Sequence, residues 1–249
     1  MKRSLMGLSL ILLLLASAAG CKKTVTTPGG SLTFSGKVTR NRQGVAGVTV
    51  YLSWKTSRAV TTGADGAFSF GDVSGSQFFL TPSLPGSGFS PSNFELGTSS
   101  RSDLIFEMTA PSYGSTVGRQ MADFILRNQG GTPVSLSQFH GSVVLVDFSA
   151  SWCGPCRSEA ARLQALFDEY KDRGLVILTI LIDGASAADW AAEYGLAFPV
   201  LEDAGNAQWN IYSEGYIPLN LILDRNLTIR YKQNGFNETT IKSEIEKYL

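Results

Sequence analysis

The chain predicts two folded regions of different class: an all-β sandwich over residues 31–110, then an α/β region over 113–249 with a mixed central sheet flanked by helices. Three observations predict this. Between 31 and 110, short runs alternate apolar and polar residues and break at glycine turns, with no useful stretch at helical spacing. Past Pro111, the near-continuous apolar run Val143 to Phe148 has the β-branched character of a strand covered on both faces. Soon after it, Ala160, Leu163, Phe167 and Tyr170 recur at helical spacing. A chain of 249 residues is long enough to bury two cores.

Residues 1–20 read as a secretory signal: Lys2 and Arg3, then Leu8 to Leu15 broken only by Ser9, then small residues to Gly20. The apolar part is too short to cross a hydrocarbon layer of ~30 Å. Ala18-Ala19-Gly20-Cys21 resembles the lipobox of bacterial lipoproteins, with Ala18 where leucine is commonest. That resemblance implies that Cys21 is lipidated and ties the chain to a membrane through several acyl chains, as stable anchoring requires. An ordinary signal would instead leave Cys21 as an odd free thiol in an oxidising compartment. Residues 21–30 are rich in Thr, Pro and Gly and read as a tether.

In the β region, Val48, Val50 and Leu52 share one strand face, and Leu104, Phe106 and Met108 repeat the pattern. Turns are expected at Gln43-Gly44, Ala46-Gly47, Asp65-Gly66 and Gly71-Asp72. Asp65 and Asp72 read as turn residues, and Phe78, Phe79, Phe89 and Phe94 as core. The order Ser35 to Thr39, Gly47 to Val50 and Thr62 to Phe70, with its Gly-x-Asp-Gly-x-Phe hairpin, resembles the carboxypeptidase-regulatory-like or Cna-B-type module over about 80 residues. In that family the module is mostly a spacer or recognition unit.

The α/β region carries the chemistry. Ser151-Trp152-Cys153-Gly154-Pro155-Cys156-Arg157 falls where a strand turns into a helix that stops at Arg173-Gly174. Cys153 therefore sits at a helix N-terminus, where unpaired N–H groups and the dipole favour a thiolate and lower its pKa. Two intervening residues let the sulfurs bond, and Pro155 suits the first turn, where an N–H would be orphaned. The pair can switch between dithiol and disulfide with little backbone movement. It needs no further cofactor, and one histidine with three cysteines gives a poor basis for a zinc site.

Trp152 to Cys156 is the active-site signature of thioredoxins, and Val143 through Glu159 is similar to the TlpA-like branch of membrane-anchored, extracytoplasmic members. The similarity continues to the end of the chain, with Tyr216-Ile217-Pro218 resembling the cis-proline loop ahead of a strand over Leu219 to Asp224. The resemblance implies that Cys153 attacks, Cys156 resolves, and Pro218, with Ile217 before it, pairs with substrate backbone. Asp147 matches the buried aspartate of thioredoxins, and Glu159 an acidic residue of TlpA-like proteins; either carboxylate could take the Cys156 proton. Ser149 departs from the tryptophan or tyrosine of many relatives. His140 reads as a surface loop residue before Gly141. Further along, a strand is expected over Leu175 to Asp183, a helix over Ala187 to Tyr194, an inserted strand and helix over Ala197 to Leu201 and Asn206 to Tyr212, a strand over Thr228 to Tyr231 and a closing helix over Thr239 to Leu249.

The expected function is a lipid-anchored thiol-disulfide oxidoreductase, leaning to protein-disulfide reductase because Gly-Pro matches reducing thioredoxins. The family implies a membrane electron donor, and no dimerisation segment is evident, so a monomer is expected. A net charge of zero and a pI near 6.6 argue against a nucleic-acid partner. One rival is a peroxidase of the AhpC/TSA type, but Val146 and Ala150 replace the proline and hydroxyl of its Pro-x-x-x-Thr/Ser-x-x-Cys motif. Another is a surface binding module, against which the retained cysteines and Ile-Pro element argue.

Overall fold

The computed structural model describes residues 31–53, 58–74, 78–84, 90–91, 94–96 and 99–249. The signal over 1–20, Cys21, the tether over 21–30 and Phe89 lie outside the described residues. No helix among the described residues is long and apolar enough to cross a membrane.

The amino-terminal part is β-rich. Its strands are β1 (Leu32–Arg40), β2 (Gln43–Gly44), β3 (Thr49–Ser53), β4 (Arg58–Thr61), β5 (Ala67–Val73), β6 (Phe78–Ser83), β7 (Ser90–Pro91), β8 (Phe94–Leu96) and β9 (Arg101–Thr109). One sheet has the order β2-β1-β9-β7, with β5 also on β1; the other is β4-β3-β6-β8. The alternation explains why they face each other. Val50 and Leu52 from β3 meet Leu104, Phe106 and Met108 from β9 in one core with Phe34, Phe70, Phe78 and Leu80, while Ile105 on the opposite face is 53% exposed. β1 and β9 run parallel and so close that a Cβ on Gly36 would lie 2.0 Å from the Leu104 carbonyl oxygen.

Two expected turns are displaced. The reversal after β1 is made by Asn41 and Arg42, both at positive φ, so Gln43 and Gly44 are already paired back on Arg40 and Thr39. Gly71 and Asp72 lie inside β5, where the β1–β5 register shifts and Asp72 takes a φ of 52°. An extra residue is absorbed there as a bulge rather than a chain reversal. Asp65-Gly66 is a turn as expected: Gly66 has φ 76°, and Asp65 accepts the Ala67 N–H at 3.1 Å.

The carboxy-terminal part consists of β10 (Ile125–Asn128), β11 (Pro133–Ser135), β12 (Val143–Ser149), α1 (Gly154–Tyr170), β13 (Leu175–Leu181), α2 (Ala187–Tyr194), β14 (Val200–Glu202), α3 (Ala207–Tyr212), β15 (Leu219–Leu223), β16 (Ile229–Asn234) and α4 (Glu238–Glu246). They build a seven-stranded mixed sheet of order β11-β10-β14-β13-β12-β15-β16, in which β12, β13 and β14 are parallel. This is the thioredoxin-like arrangement. β12 is buried along its whole length because apolar layers cover both its faces. Val143 and Leu145 meet Leu163 of α1 and Ile241 and Ile245 of α4; Val144, Val146 and Phe148 meet Met121, Phe124 and Tyr212.

The inserted strand begins at Val200 rather than Ala197, after Pro199, which has no N–H to give a ladder. β16 runs on to Asn234, through polar residues that pair antiparallel with β15 at the sheet edge. β10 and β11 were not anticipated; they are short, and only Val134 of β11 is buried in the pair.

Residues 31–249 form one compact unit. The seam between its parts forms at the turn after β15. The Asn226 amide donates to the Pro82 carbonyl at 2.6 Å, Ser83 Oγ donates to the Arg225 carbonyl at 3.3 Å, and Phe79 packs on Tyr248 with ring centroids 5.8 Å apart. The buried Arg225 guanidinium stacks over the Tyr51 ring, 4.2 Å from its centroid, and donates to the carbonyl oxygens of Gly141 at 2.6 Å and Tyr248 at 3.2 Å. Phe78 and Phe79 are thus both buried, the second at the seam.

Candidate active site

The site is built where β12 ends. Its last residue, Ser149, is followed by a short turn in which the Ser151 N–H and Oγ both donate to the Asp183 carboxylate, at 2.8 and 2.6 Å. Asp183 lies just past β13, so the parallel neighbour of β12 pins the loop that presents the cysteines. Sequence reasoning missed this residue; an aspartate just beyond a core strand was its only signal.

Cys153 caps α1 with φ −84° and ψ 105°, and its Sγ accepts the Cys156 backbone N–H at 3.2 Å. The two are joined as a disulfide with Cα atoms 5.3 Å apart. Cys153 is 5% exposed and Cys156 1%, whereas Trp152 beside them is 71% exposed. When the bond is reduced, negative charge on Cys153 meets a backbone donor and the positive end of a 17-residue helix. Cys156, one turn further in, is the more deeply buried of the two.

The Ile217–Pro218 peptide is cis. Pro218 faces the amino-terminal turns of α1 across a cleft of about 190 Å³, lined also by Pro155, Ser158, Glu159, Arg162 and Phe236. Ile217 is half-buried against both cores, and Tyr216 before it is 71% exposed. The exposed rings of Trp152, next to Cys153, and Tyr216, two residues before Pro218, belong to the two segments that carry the disulfide and the cis-proline.

Both candidate carboxylates are buried, Asp147 at 1% exposure and Glu159 at 2%. Glu159 is thus turned into the protein rather than to solvent. Asp147 sits in the centre of β12, opposite Thr179 on one side and Asn220 on the other. It accepts from Ser149 Oγ at 3.0 and 2.8 Å and from Thr179 Oγ1 at 2.9 Å. Glu159 accepts from the Asn220 amide at 2.8 Å through one oxygen; its other oxygen and the Asn220 carbonyl oxygen are buried without a partner. Burial pushes both carboxyl groups up, Asp147 to about 6 against the pull of its hydroxyl partners, and Glu159 to about 9 with the Asp147 charge as a second cause. Asn220 is a second residue that sequence reasoning missed, since its position in an apolar strand gave no hint of the pairing. His140 is not part of this group. It is half-buried beside the Arg225 backbone, and burial lowers its pKa.

The AhpC/TSA family matches residues 117–232. Among curated relatives, the thiol-disulfide oxidoreductase ResA of Geobacillus kaustophilus is 30% identical over 156 residues, which is 62% of this chain and 86% of that protein. ResA of Bacillus cereus is 29% identical over 135 residues, 53% of this chain and 76% of the relative. Among solved structures, a protein from Chlorobium tepidum described as thiol:disulfide interchange protein DsbE is 29% identical, with 52% of this chain and 95% of that one aligned at a TM-score of 0.49.

Proposed function

This chain belongs to the ResA-like thiol-disulfide oxidoreductases of the thioredoxin superfamily, and on that premise we propose that it is a lipid-anchored, extracytoplasmic protein-disulfide reductase whose working group is the Cys153–Cys156 pair itself. The observation that carries the reading is Cys153 at the cap of α1, bonded to Cys156 and accepting its N–H. In the reduced enzyme the Cys153 thiolate attacks a substrate disulfide and expels one substrate thiolate, leaving a mixed disulfide. Cys156 then attacks Cys153 Sγ, its proton passes to a buried carboxylate, and the second substrate thiolate leaves as the protein disulfide closes. A membrane-borne electron donor returns the dithiol. The chain needs no metal or organic cofactor for these steps and acts as a monomer, with Cys21 supplying the anchor and residues 31–110 serving as a spacer or recognition module.

Trp152 and Tyr216 suit a polypeptide substrate, since each offers a large exposed ring, one next to Cys153 and the other two residues before Pro218. A peroxidase would need the proline and hydroxyl that this chain lacks ahead of Cys153, and Val146 is fully buried where that proline would be. Trapping tests the proposal. The Cys156→Ser protein is expected to retain protein substrates as mixed disulfides on Cys153; recovery of none above a Cys153→Ser control overturns it.

A further inference from the structure

The reaction needs a place for the Cys156 proton, and the site holds two buried carboxylates: Glu159, three residues on from Cys156 in α1, and Asp147 in β12. Like charges in so dry a place cannot both be carried at modest cost, so at neutral pH the pair holds one proton. The hydrogen bonds differ sharply between the two. Asp147 receives both hydroxyl groups that face it, the Ser149 hydroxyl straddling its oxygens and the Thr179 hydroxyl reaching one of them. Glu159 receives a single amide, and its second oxygen meets no donor. Donors stabilise the ionised form, and a bare buried carboxylate oxygen is costly unless it bears a proton.

The geometry points to Ser149 as a positioning residue of the reaction: with Thr179 it fixes the negative charge of the pair on Asp147 and leaves the proton on Glu159. This rests on the oxidoreductase reading above and assigns a task to the residue that replaces the bulky aromatic of many relatives. A tryptophan at 149 would leave Asp147 without that hydroxyl. The other groups acting on the pair are few. Arg162 of α1 is the cation that acts on Glu159, β13 contributes Thr179 and β15 contributes Asn220, and neither of these last two titrates.

The resolving step then balances without an outside base. As Cys156 Sγ bonds to Cys153 Sγ, its proton passes to Asp147, the bond from Cys153 to the substrate sulfur breaks, and the substrate leaves as a thiolate. With the Asp147 charge gone, the repulsion on Glu159 is relieved, and the pair returns one proton to solvent.

Carboxyl-carbon NMR titration of the full chain in its oxidised form tests this directly, because the cysteines then do not titrate. Asp147→Asn and Glu159→Gln assign the two signals. Asp147 is expected to ionise at lower pH than Glu159; the reverse order overturns the proposal. Ser149→Ala should raise the Asp147 midpoint by about one pH unit, Ser149→Thr should restore it, and the pH for half-maximal insulin reduction should move with it. An unmoved midpoint in Ser149→Ala, or a Ser149→Thr protein that matches it, also overturns the assignment. If a substituted protein does not fold, the order in the wild type decides. Absence of any insulin reduction by the wild type would remove the functional reading itself, whatever the order of titration.

Discussion

The buried Glu159 gives the folded protein a pH dependence of definite sign. Its carboxyl ionises near 4.5 when solvated and near 9 in the fold, so between these values the unfolded chain releases a proton that the folded chain keeps. Stability is full below about pH 4.5, falls as pH rises, and levels off once the folded carboxyl ionises too. The steepest possible loss for one proton is about 1.4 kcal/mol per pH unit, so raising the pH from 6 to 8 costs up to about 3 kcal/mol. For a domain of this size, that lowers Tm by roughly 6–12 °C. Asp147 adds little there, because its own window closes near pH 6. Thermal unfolding of the oxidised protein at pH 6, 7 and 8, followed by circular dichroism, measures the effect. Glu159→Gln keeps the shape and the Asn220 contact but cannot ionise, so its Tm should be nearly flat over the same range. A wild-type Tm that does not fall, or a Glu159→Gln protein with the same slope, would refute the assignment of the buried proton.

Three further outcomes follow from contacts already described. Arg225→Met removes charge-assisted bonds to buried carbonyl groups and the stack on Tyr51; urea unfolding should show a loss of about 2–4 kcal/mol. Gly36→Ala would press a methyl into the Leu104 carbonyl, and because backbone is the obstacle we expect a loss of more than about 2 kcal/mol or failure to express folded protein. Trp152→Ala should leave Tm within about 1 °C, since the ring is 71% exposed, while raising KM for a protein disulfide more than for a small one; equal effects on both would count against a docking role.

Much of the fold was legible because the signals are local. Val50, Leu52, Leu104, Phe106 and Met108 reveal their inner face by alternation, and Ile241 and Ile245 by helical spacing; all are buried. The cysteine pair was legible because strand, turn and helix cues surround it within a few residues. What stayed hidden depends on contacts across long sequence separations. Asp183 reaches Ser151 over 32 residues and Asn220 reaches Glu159 over 61, and no periodicity announces either. The turn at Asn41 and Arg42 was misplaced because glycine two residues later offered a stronger cue than two L-residues at positive φ. Ser149 read as a departure, because its value lies in a hydrogen bond to Asp147 two positions away on the same strand face.

The seam around Arg225 bears on how such a protein can be rearranged. A redox region excised at residue 112 would carry a buried-type guanidinium stripped of its ring and an Asn226 amide stripped of the Pro82 carbonyl, so it would tend to self-associate or to melt at that corner. Any lineage that exchanged the β-rich partner for another would have to rewrite Arg225 and Asn226 along with it. In chains that carry both parts, Tyr51 and Arg225 are therefore expected to change in concert.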